Sequence, residues 1–411
     1  MFRTSTAVYV LSFLLLNPLV ARGDVVVDWN AIMLTTMSGQ SPFAQARFAA
    51  IMQAAVFEAV NAIMGEYEPY LGTISAVPGA SAEAAAVAAA HAVLVHYFSG
   101  QTPALDKARD VSLATIADGQ SKTDGIAVGE AAASAMIALR DTDGSSPPQF
   151  YLPTSSNPGE WQLTPSCPPA GGTFLHWQNV MPFAIQSSSQ FRSDPPPSLT
   201  SPDYTRAYNE VKTFGAADST LRPQDRSDVA LFYAAVVPVA VWDQVSEQLA
   251  VAYGTSLSQN ARAFALIDMA ISDALVSVME TKYYYRFWRP ETAIHNAVAD
   301  GNPDTEPDPN FVPFIRTPCF PSYGSAHASG SYAGRRVVQE IWGAAGHSID
   351  LVAPSLNMTR HYTSLKQITD DIDDARVYGG IHFRTDQHAG ARQGWRVGQY
   401  VIAHWLQPRG H

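Results

Sequence analysis

Apolar residues recur every three or four positions through most of the chain, and this period constrains its fold more than any other feature. The pattern is clear between residues 42 and 63, where Phe48, Ile51 and Met52 have the spacing of one helix face. It returns in the long run ARAFALIDMAISDALVSVMETKYYYRFW, which follows a helix-capping sequence, SLSQ. We find no extended alternation of apolar and polar residues, the pattern typical of β-strands. The sequence therefore predicts an all-α fold.

Length and composition predict a large globular core. The chain has 411 residues, of which 46% are hydrophobic and 15% charged, so the usual domain size gives two or three structural units. Residues from about 145 to 202 are rich in Pro, Ser and Gly with interspersed aromatic residues. We expect this stretch to form an ordered excursion over one end of the molecule, beside a substrate entrance. The predicted units are residues 24–200 and 201–411.

The charge of the chain argues against nucleic acid as a partner. The formal net charge is −11 and there are no runs of Lys or Arg. Phosphate backbones are bound through clustered positive charge, which this composition lacks. Lys282, Arg289 and Arg376 are therefore predicted to form a local cationic pocket in an acidic protein.

The first 23 residues have the composition of a secretory signal peptide. Arg3 is followed by an apolar stretch from Ala7 to Leu16 and then by small residues, with cleavage expected after Ala21 or Gly23. An uncleaved anchor is the alternative. We expect a secreted or periplasmic protein without a later transmembrane segment. The best candidate, Val229 to Trp242, contains a proline and is shorter than the roughly 20 residues that a spanning helix needs.

Cys167 and Cys319 are the only cysteines of the sequence. In an exported chain they are candidates for a disulfide that ties the Pro-rich excursion to the loop before Ser325, and two unpaired thiols are the alternative. Neither has a Cys or His partner at zinc-ligand spacing.

Two motifs bring together cations, a hydroxyl and an imidazole. The segment KYYYRFWRP places Lys282 and Arg289 seven residues apart, so both side chains share one helix face if the helix continues to Pro290. The segment PSYGSAHASG places Ser325 and His327 where a helix is expected to begin. A helix N-terminus directs free N–H groups toward an anion.

A third motif, ARVYGGIHFRTD, places Arg376, His382 and Asp386 on one short segment. Asp386 follows His382 by four residues and could hold one imidazole nitrogen so that the other presents a lone pair. Fixed cations and N–H donors stabilise the oxygens of a tetrahedral oxyanion, and an imidazole attacks or coordinates its central atom. Asp225 or Asp228 is a further candidate, as a partner for one of the arginines.

The order Lys-x6-Arg-Pro, Ser-x-His, Arg-x5-His-x3-Asp resembles the signature shared by vanadium-dependent haloperoxidases and type 2 phosphatidic acid phosphatases. The words KYYYRFWRPETAI, TPCFPSYGSAHAS and ARVYGGIHFRTD are more similar to the soluble haloperoxidase branch. The resemblance is strong over the C-terminal half of the chain and loose before it. It implies two helical bundles, with the site at one end of the C-terminal bundle.

By this resemblance the cofactor would be vanadate, and phosphate can occupy the same site. The expected metal ligand is His382, which would coordinate vanadium axially. The cations would balance the charge of the oxyanion, and a hydroxyl and a backbone amide would complete its hydrogen bonds. The residues expected to bind vanadate are Lys282, Arg289, Ser325, Ala326, Arg376 and His382.

The resemblance also implies a reaction in which hydrogen peroxide oxidises a halide to a hypohalous species that halogenates a small organic acceptor. His327 would act as acid–base partner, Lys282 would polarise the peroxide, and Asp386 would orient His382. Phe320 lies where chloride-oxidising relatives carry an aromatic residue, which connects it to the halide and substrate pocket. The oligomeric state stays open.

One departure from the family pattern leaves alternatives open. The usual Pro-Ser-Gly-His is Gly-Ser-Ala-His here, with Ala326 in the glycine position. The backbone N–H is kept if the φ angle of Ala326 is negative. An alternative activity is phosphomonoester hydrolysis, with His382 forming a phosphohistidine and His327 protonating the leaving group. A degenerate oxyanion-binding protein is the second alternative.

Overall fold

The computed structural model describes residues 23–410, so the signal-peptide prediction falls almost entirely outside the described residues and stays a prediction. Within that range the chain forms thirteen α-helices and one β-hairpin, joined by loops and four short 3₁₀ segments. The all-α prediction is confirmed apart from the hairpin. The elements are α1 Val25–Thr36, α2 Pro42–Met64, α3 Ala82–Tyr97, α4 Thr102–Leu113, α5 Gln120–Arg140, α6 Pro202–Gly215, α7 Gln224–Ala235, α8 Pro238–Tyr253, α9 Leu257–Tyr285, α10 Pro290–His295, α11 Ala326–Trp342, β1 Ala345–Ala353, β2 Met358–Ser364, α12 Leu365–Tyr378 and α13 Arg384–His404.

The hairpin is a difference from the sequence-based expectation. Strands β1 and β2 pair antiparallel, with Ile349 opposite Tyr362. Along β1 the side chains alternate between exposed and buried, and Ile349, Leu351 and Ala353 face the core. This is the period of two that a half-buried strand requires, in a segment too short to stand out from the helical pattern.

Helix α9 is the central element of the fold. Ser256 caps it, because its side chain accepts the N–H of Gln259 while the Gln259 side chain accepts the N–H of Ser256. Nearly all of its side chains are buried, because α2 packs on it from the N-terminal part of the chain and α11 and α13 pack on it from the C-terminal part. A helix that is apolar on all sides needs such cover. The main core therefore includes residues on both sides of position 200.

Helices α11 and α13 pack unusually close together, and glycines on α13 permit it. A Cβ atom added at Gly394 would lie 1.9 Å from the carbonyl oxygen of Ser329, and one at Gly390 would lie 2.4 Å from that of Ser325. Both are closer than van der Waals contact allows. The beginning of α13 is also tied to the residue before α11, because the Ser325 N–H donates to the Asp386 carbonyl at 2.9 Å. This contact fixes two of the predicted motifs beside one another.

The Pro-rich excursion is ordered and packs back onto the helices. Trp161, Trp177 and Phe183 are buried, as expected of its aromatic residues. The carboxylate of Asp273 on α9 accepts three consecutive backbone N–H groups of the excursion, beginning with that of Phe183 at 2.6 Å. The cysteines form the disulfide Cys167–Cys319, with a Cα–Cα distance of 5.0 Å. The excursion is thereby attached to the loop that leads to Ser325.

Among the helices within residues 23–410, α2 alone has by itself the length and apolar composition to cross a membrane. In the fold, 78% of its most apolar window is buried inside the protein. The segment from Val229 to Trp242 is divided between α7 and α8, which are bent by 96° relative to each other.

Candidate active site

The two cations of the first motif meet at one loop although they do not share a helix. Helix α9 ends at Tyr285, and Arg286 has a left-handed φ of 50°. Arg289 therefore lies beyond the helix, as the residue before α10. The prediction of one shared helix face is wrong, because the chain turns at Arg286 rather than at Pro290. This turn nevertheless brings the Arg289 side chain back toward Lys282.

Backbone carbonyls of the loop before Ser325 hold both cations. Lys282 Nζ donates to the carbonyls of Pro321 and Ser322 at 2.9 and 2.8 Å, and Arg289 Nε donates to that of Phe320 at 2.8 Å. Lys282 and Arg289 are completely buried. The carbonyls carry no formal charge and the Asp386 carboxylate offsets only part of the charge of the site cations, so the pocket keeps its affinity for an anion.

The second motif is placed as predicted. Ser325 caps α11, and its hydroxyl oxygen accepts the N–H of Ala328 at 3.3 Å. Ala326 is the first residue of the helix and is not among the described residues with positive φ. The backbone conformation that alanine would resist is therefore not required here. The amide N–H of Ala326 lies in the first turn, where helical N–H groups lack intrahelical acceptors.

The third motif forms a buried pair. Asp386 Oδ2 lies 2.9 Å from His382 Nδ1, although His382 precedes α13 and Asp386 belongs to its first turn. The same carboxylate oxygen accepts the Ser322 hydroxyl and, at 3.1 Å, the N–H of Phe383. Arg289 Nη1 lies 3.1 Å from His382 Nε2. A neutral His382 that donates from Nδ1 to Asp386 and accepts at Nε2 satisfies both contacts.

Arg376 and His327 share one backbone acceptor on α7. Arg376 Nη1 donates to the carbonyl of Tyr233 at 3.0 Å, and His327 also hydrogen-bonds to the Tyr233 backbone. Both side chains also line the cavity that reaches His382. Asp225 and Asp228 do not take part, since Asp225 pairs with Arg226 and Asp228 with Gln224. The expectation that one of them supports a site arginine is wrong.

Three nitrogen atoms in the site have no hydrogen-bond partner among residues 23–410. They are Arg289 Nη2, Arg376 Nε and His327 Nε2, and all three are buried. A buried polar group without a partner costs roughly 1–3 kcal/mol. Such groups at one place point to a ligand that supplies the missing contacts.

The electrostatics of the pocket favour an anion. Burial, reinforced by the Arg289 charge, holds the pKa of Lys282 well below its ordinary value. Burial also lowers the pKa of Arg289 to about 9 and that of Arg376 to about 10. Both imidazoles have pKa values well below the usual range, because burial and then the nearest arginine disfavour their charged forms. His327 and His382 are therefore neutral at pH 7.

Burial raises the pKa of Asp386 to about 6, against the opposing effect of the Ser322 hydroxyl and the cations. At pH 7 this carboxyl group is therefore ionised and can accept the Nδ1 proton of His382. No group of three or more His, Cys, Asp or Glu side chains in the described part of the chain is arranged to hold a metal ion. The donor set instead suits a tetrahedral oxyanion with His382 as its one nitrogen ligand.

A cavity of about 310 Å³ opens onto His327, Arg376 and His382. Phe320 forms part of its wall, as the sequence predicts, and lies beneath both cations: Lys282 Nζ and the Arg289 guanidinium carbon are 5.2 and 5.0 Å from the ring centre. These are cation–π distances. The cavity gives a small molecule access to the pocket.

Sequence reasoning missed several contributors to the site. Ser322 is the most direct, because its hydroxyl binds the carboxylate that orients His382. Its signal was present as the first serine of PSYGSAH, three residues before Ser325. Phe43 and Phe174 also line the cavity, and they come from distant parts of the chain that contain no recognisable motif.

Comparisons with known proteins agree with this geometry. The family model described as the VCPO second helical-bundle domain matches residues 262–409, a range that contains all three predicted motifs. The vanadium chloroperoxidase of Curvularia inaequalis is 30% identical over a match that covers 36% of this chain. The match spans only 29% of that protein's length.

Solved structures extend the likeness of fold to nearly the whole chain. A bacterial vanadium-dependent iodoperoxidase has a TM-score of 0.77 and 24% identity, covering 94% of this chain and 96% of its own. An apo-type bacterial vanadium-dependent chloroperoxidase has a TM-score of 0.70 and 15% identity, covering 88% and 94%. Residues 262–409 thus match the VCPO second helical-bundle domain, and nearly the whole chain shares the fold of solved vanadium-dependent haloperoxidases.

Proposed function

We propose that the protein is a vanadate-dependent haloperoxidase that oxidises a halide with hydrogen peroxide to a hypohalous acid. In this reaction the halide loses two electrons to the peroxide, and one proton is taken up for each hypohalous acid and water formed. The observation that carries the proposal is the set of partnerless nitrogens around the His382–Asp386 pair: two arginine donors, on Arg289 and Arg376, and Nε2 of His327.

The residues present fit vanadate. An oxyanion beside His382 Nε2 would accept hydrogen bonds from the partnerless arginine nitrogens and from the beginning of α11, and Lys282 would offset its charge. Bound vanadate would supply the activation of hydrogen peroxide toward the halide. The residues that would hold the anion are Lys282, Arg289, Ser325, Ala326 and Arg376, and His382 would be its nitrogen ligand.

His327 is suited to proton transfer. It is neutral, and its Nε2 atom points toward the cavity without a partner among residues 23–410. This atom can accept a proton from an incoming hydrogen peroxide molecule and return it to a departing oxygen. Exclusion of water by the surrounding apolar residues strengthens each of these interactions.

Phosphomonoester hydrolysis is the second candidate, and the orientation of His382 favours it as well. Asp386 fixes the Nδ1 proton, so Nε2 keeps its lone pair. Once Arg289 Nη1 turns from Nε2 to the oxyanion, that lone pair can bond to phosphorus as it can to vanadium. Nε2 would form the bond to phosphorus as the ester P–O bond breaks. His327, protonated when the phosphate anion binds beside it, would give that proton to the leaving oxygen. Phosphate and vanadate have the same shape and charge, so the donor set suits both.

A paired assay distinguishes the two. The purified protein is incubated with hydrogen peroxide and chloride, bromide or iodide, with and without vanadate, and halogenation of a phenolic dye is followed. Hydrolysis of a chromogenic phosphate monoester is measured in parallel without vanadate. We expect vanadate-dependent halogenation. Ester hydrolysis that vanadate inhibits, without halogenation, would establish the phosphatase activity instead.

His382→Ala and His388→Ala provide matched variants for this assay. His382 belongs to the site, whereas His388 is exposed one and a half turns further along the same segment. We expect His382→Ala to lose turnover and His388→Ala to keep it. Full turnover by His382→Ala would disprove the assignment of His382 to the active site. If the wild-type protein showed no activity in either assay, a degenerate oxyanion-binding protein would be indicated.

A further inference from the structure

The cavity beside His382 has an apolar wall that an oxyanion pocket and a halide do not require. Its volume of about 310 Å³ is at the lower end of the range of roughly 300–1,000 Å³ found for small-molecule sites. Such a volume accommodates one or two rings. The apolar lining includes Pro42, Phe43, Phe174, Leu275, Ile315 and Phe320.

Three phenylalanines from separate parts of the chain form one continuous surface in this wall. The ring centre of Phe43 on α2 lies 4.6 Å from that of Phe174 in the excursion and 5.9 Å from that of Phe320. Phe174 and Phe320 are 6.2 Å apart. The Cys167–Cys319 disulfide joins the excursion to the residue next to Phe320. The aromatic surface is thus fixed by covalent as well as packing contacts.

The backbone of Phe174 is held in a conformation that bulky residues avoid. Its φ angle is 61°, in the left-handed region, which is unfavourable for a residue other than glycine. The chain accepts this cost at a position where the side chain lies in the cavity wall. Strain that the surrounding structure maintains is concentrated at functional sites, and here it directs an aromatic ring toward the space next to His382.

The charged groups of the cavity are both cationic. Arg376 is buried and belongs to the anion pocket, whereas Arg316 is exposed and contacts the Ser166 carbonyl at 2.8 Å. No Asp or Glu is among the described residues that line the cavity. An anionic group on a bound molecule is therefore favoured beside Arg316, and a cationic group is disfavoured.

We propose that this cavity binds the organic acceptor, a molecule with one or two apolar rings and preferably a carboxylate, next to the oxyanion site. The inference rests on the proposed function, since it names the substrate that receives the halogen. In the transfer step a ring C–H bond and the O–X bond of the hypohalous acid break. A C–X bond forms, and the proton leaves with the hydroxide as water.

Direct binding tests the acceptor site independently of turnover. We would titrate the full chain, in saturating vanadate so that the anion pocket is filled, with 2-naphthoate, 2-naphthylmethanol and 2-naphthylmethylamine, using calorimetry. The three probes share one ring system and differ in charge. We expect 2-naphthoate to bind most tightly and 2-naphthylmethylamine most weakly.

Two substitutions locate the bound molecule. Phe174→Leu should weaken the binding of all three probes by about two- to tenfold, because a contact between two aromatic rings is lost. Its control, Phe150→Leu, changes an exposed phenylalanine of the same excursion that does not line the cavity.

Arg316→Ala should weaken the binding of 2-naphthoate by about two- to fivefold and leave the binding of 2-naphthylmethanol unchanged. Its control is Arg206→Ala, an exposed arginine on α6 outside this cavity.

The outcomes separate this proposal from the proposed function. Halide oxidation by the wild-type protein, measured without any organic molecule, tests only the haloperoxidase activity. If that reaction proceeds but no probe binds, or if Phe174→Leu binds like wild type, the acceptor site is disproved while the haloperoxidase remains. Displacement of 2-naphthoate by vanadate would place the carboxylate in the anion pocket and would equally overturn the proposal.

Discussion

Asp386 holds His382 across the beginning of α13, with its Oδ2 atom 2.9 Å from Nδ1 of the imidazole. The contact joins a residue in an extended segment to one in a helix, and Ser322 from a separate loop binds the same oxygen. Because Asp386 and Arg289 occupy the two ring nitrogens from opposite sides, the imidazole has a defined orientation. Nε2 is thus oriented before an anion arrives, and Arg289 would have to release it for vanadate to bind there.

We predict that Asp386→Asn weakens vanadate binding about 10- to 100-fold, the usual effect of removing the carboxylate that orients a metal-binding histidine. The amide can still contact Nδ1, but it neither accepts as strongly nor carries the charge that supports a basic Nε2. Titration calorimetry with vanadate measures the change. Asp370→Asn is the control, because Asp370 is exposed and paired with Lys366. Equal affinity of the Asp386 and Asp370 variants would contradict this role.

Residue types and spacing were sufficient to predict that the cations and imidazoles of the three motifs meet in one pocket. Lys282, Arg289, Ser325, His327 and Arg376 meet around His382 because three motifs with unusual side chains stand in a fixed order. The beginning of α11 could be predicted for a local reason, since a serine before a helical pattern caps the helix.

What could not be predicted depends on contacts between distant segments. The carbonyls of Pro321 and Ser322 hold Lys282, but every residue has a carbonyl, so the sequence does not mark which ones serve. Arg289 reaches the site through a left-handed turn at Arg286, a residue type that rarely adopts that conformation. Phe43 and Phe174 enter the cavity wall only through tertiary packing.

Anion binding should be accompanied by proton uptake. The pKa values of Lys282 and His327 lie well below their ordinary values, and a bound oxyanion favours the protonated forms and raises them. At pH values between the pKa of the free protein and that of the complex, anion binding is accompanied by proton uptake. The dissociation constant of the anion must therefore increase with pH in that range. We expect this trend for sulfate, which does not itself titrate near neutral pH.

Calorimetry in two buffers of different ionisation enthalpy measures the number of protons taken up. Lys282→Met should reduce that number as well as the affinity, whereas Lys366→Met, on an exposed lysine, should change neither. A dissociation constant independent of pH in the wild-type protein would show that these groups do not couple to the anion.

The close packing of α11 and α13 makes Gly394 intolerant of a side chain. An added methyl group would lie 1.9 Å from the Ser329 carbonyl oxygen, so the helices must separate. We expect Gly394→Ala to lower the free energy of unfolding by about 1–3 kcal/mol, as overpacking usually does. It should also weaken vanadate binding, because α11 carries Ser325 and α13 carries Asp386. Denaturant unfolding and vanadate titration measure the two effects.

Gly100→Ala is the matched control, since a Cβ atom there meets nothing within 4 Å. It should leave both quantities unchanged. If Gly394→Ala were as stable as wild type, the two helices would not be in the contact described.

Asp243 on α8 and Asp268 on α9 form a buried acid pair away from the site, and they should make stability depend on pH. Both side chains are fully buried, and none of their carboxyl oxygens has a donor among residues 23–410. Burial raises both pKa values well above the ordinary one, so the pair is stable only while it keeps a proton to share. When folding raises the pKa of an acid, the protonated acid contributes to the free energy of unfolding. This contribution is complete below the pKa of the unfolded state, about 3.9, and is lost as pH rises through the pKa of the folded state.

Asp243→Asn replaces one acid by an amide that can donate to Asp268 without titrating. We expect this variant to be more stable than wild type at pH 8.5 by about 1–3 kcal/mol, the usual cost of a buried polar group without a partner, and to lose that advantage at pH 5. Urea unfolding at the two pH values measures the difference, with the exposed Asp118→Asn as control. Parallel pH profiles for wild type and Asp243→Asn would mean that the pair holds no shared proton. The pH dependence would then have to come from other groups, such as Asp373, whose pKa burial raises to about 7.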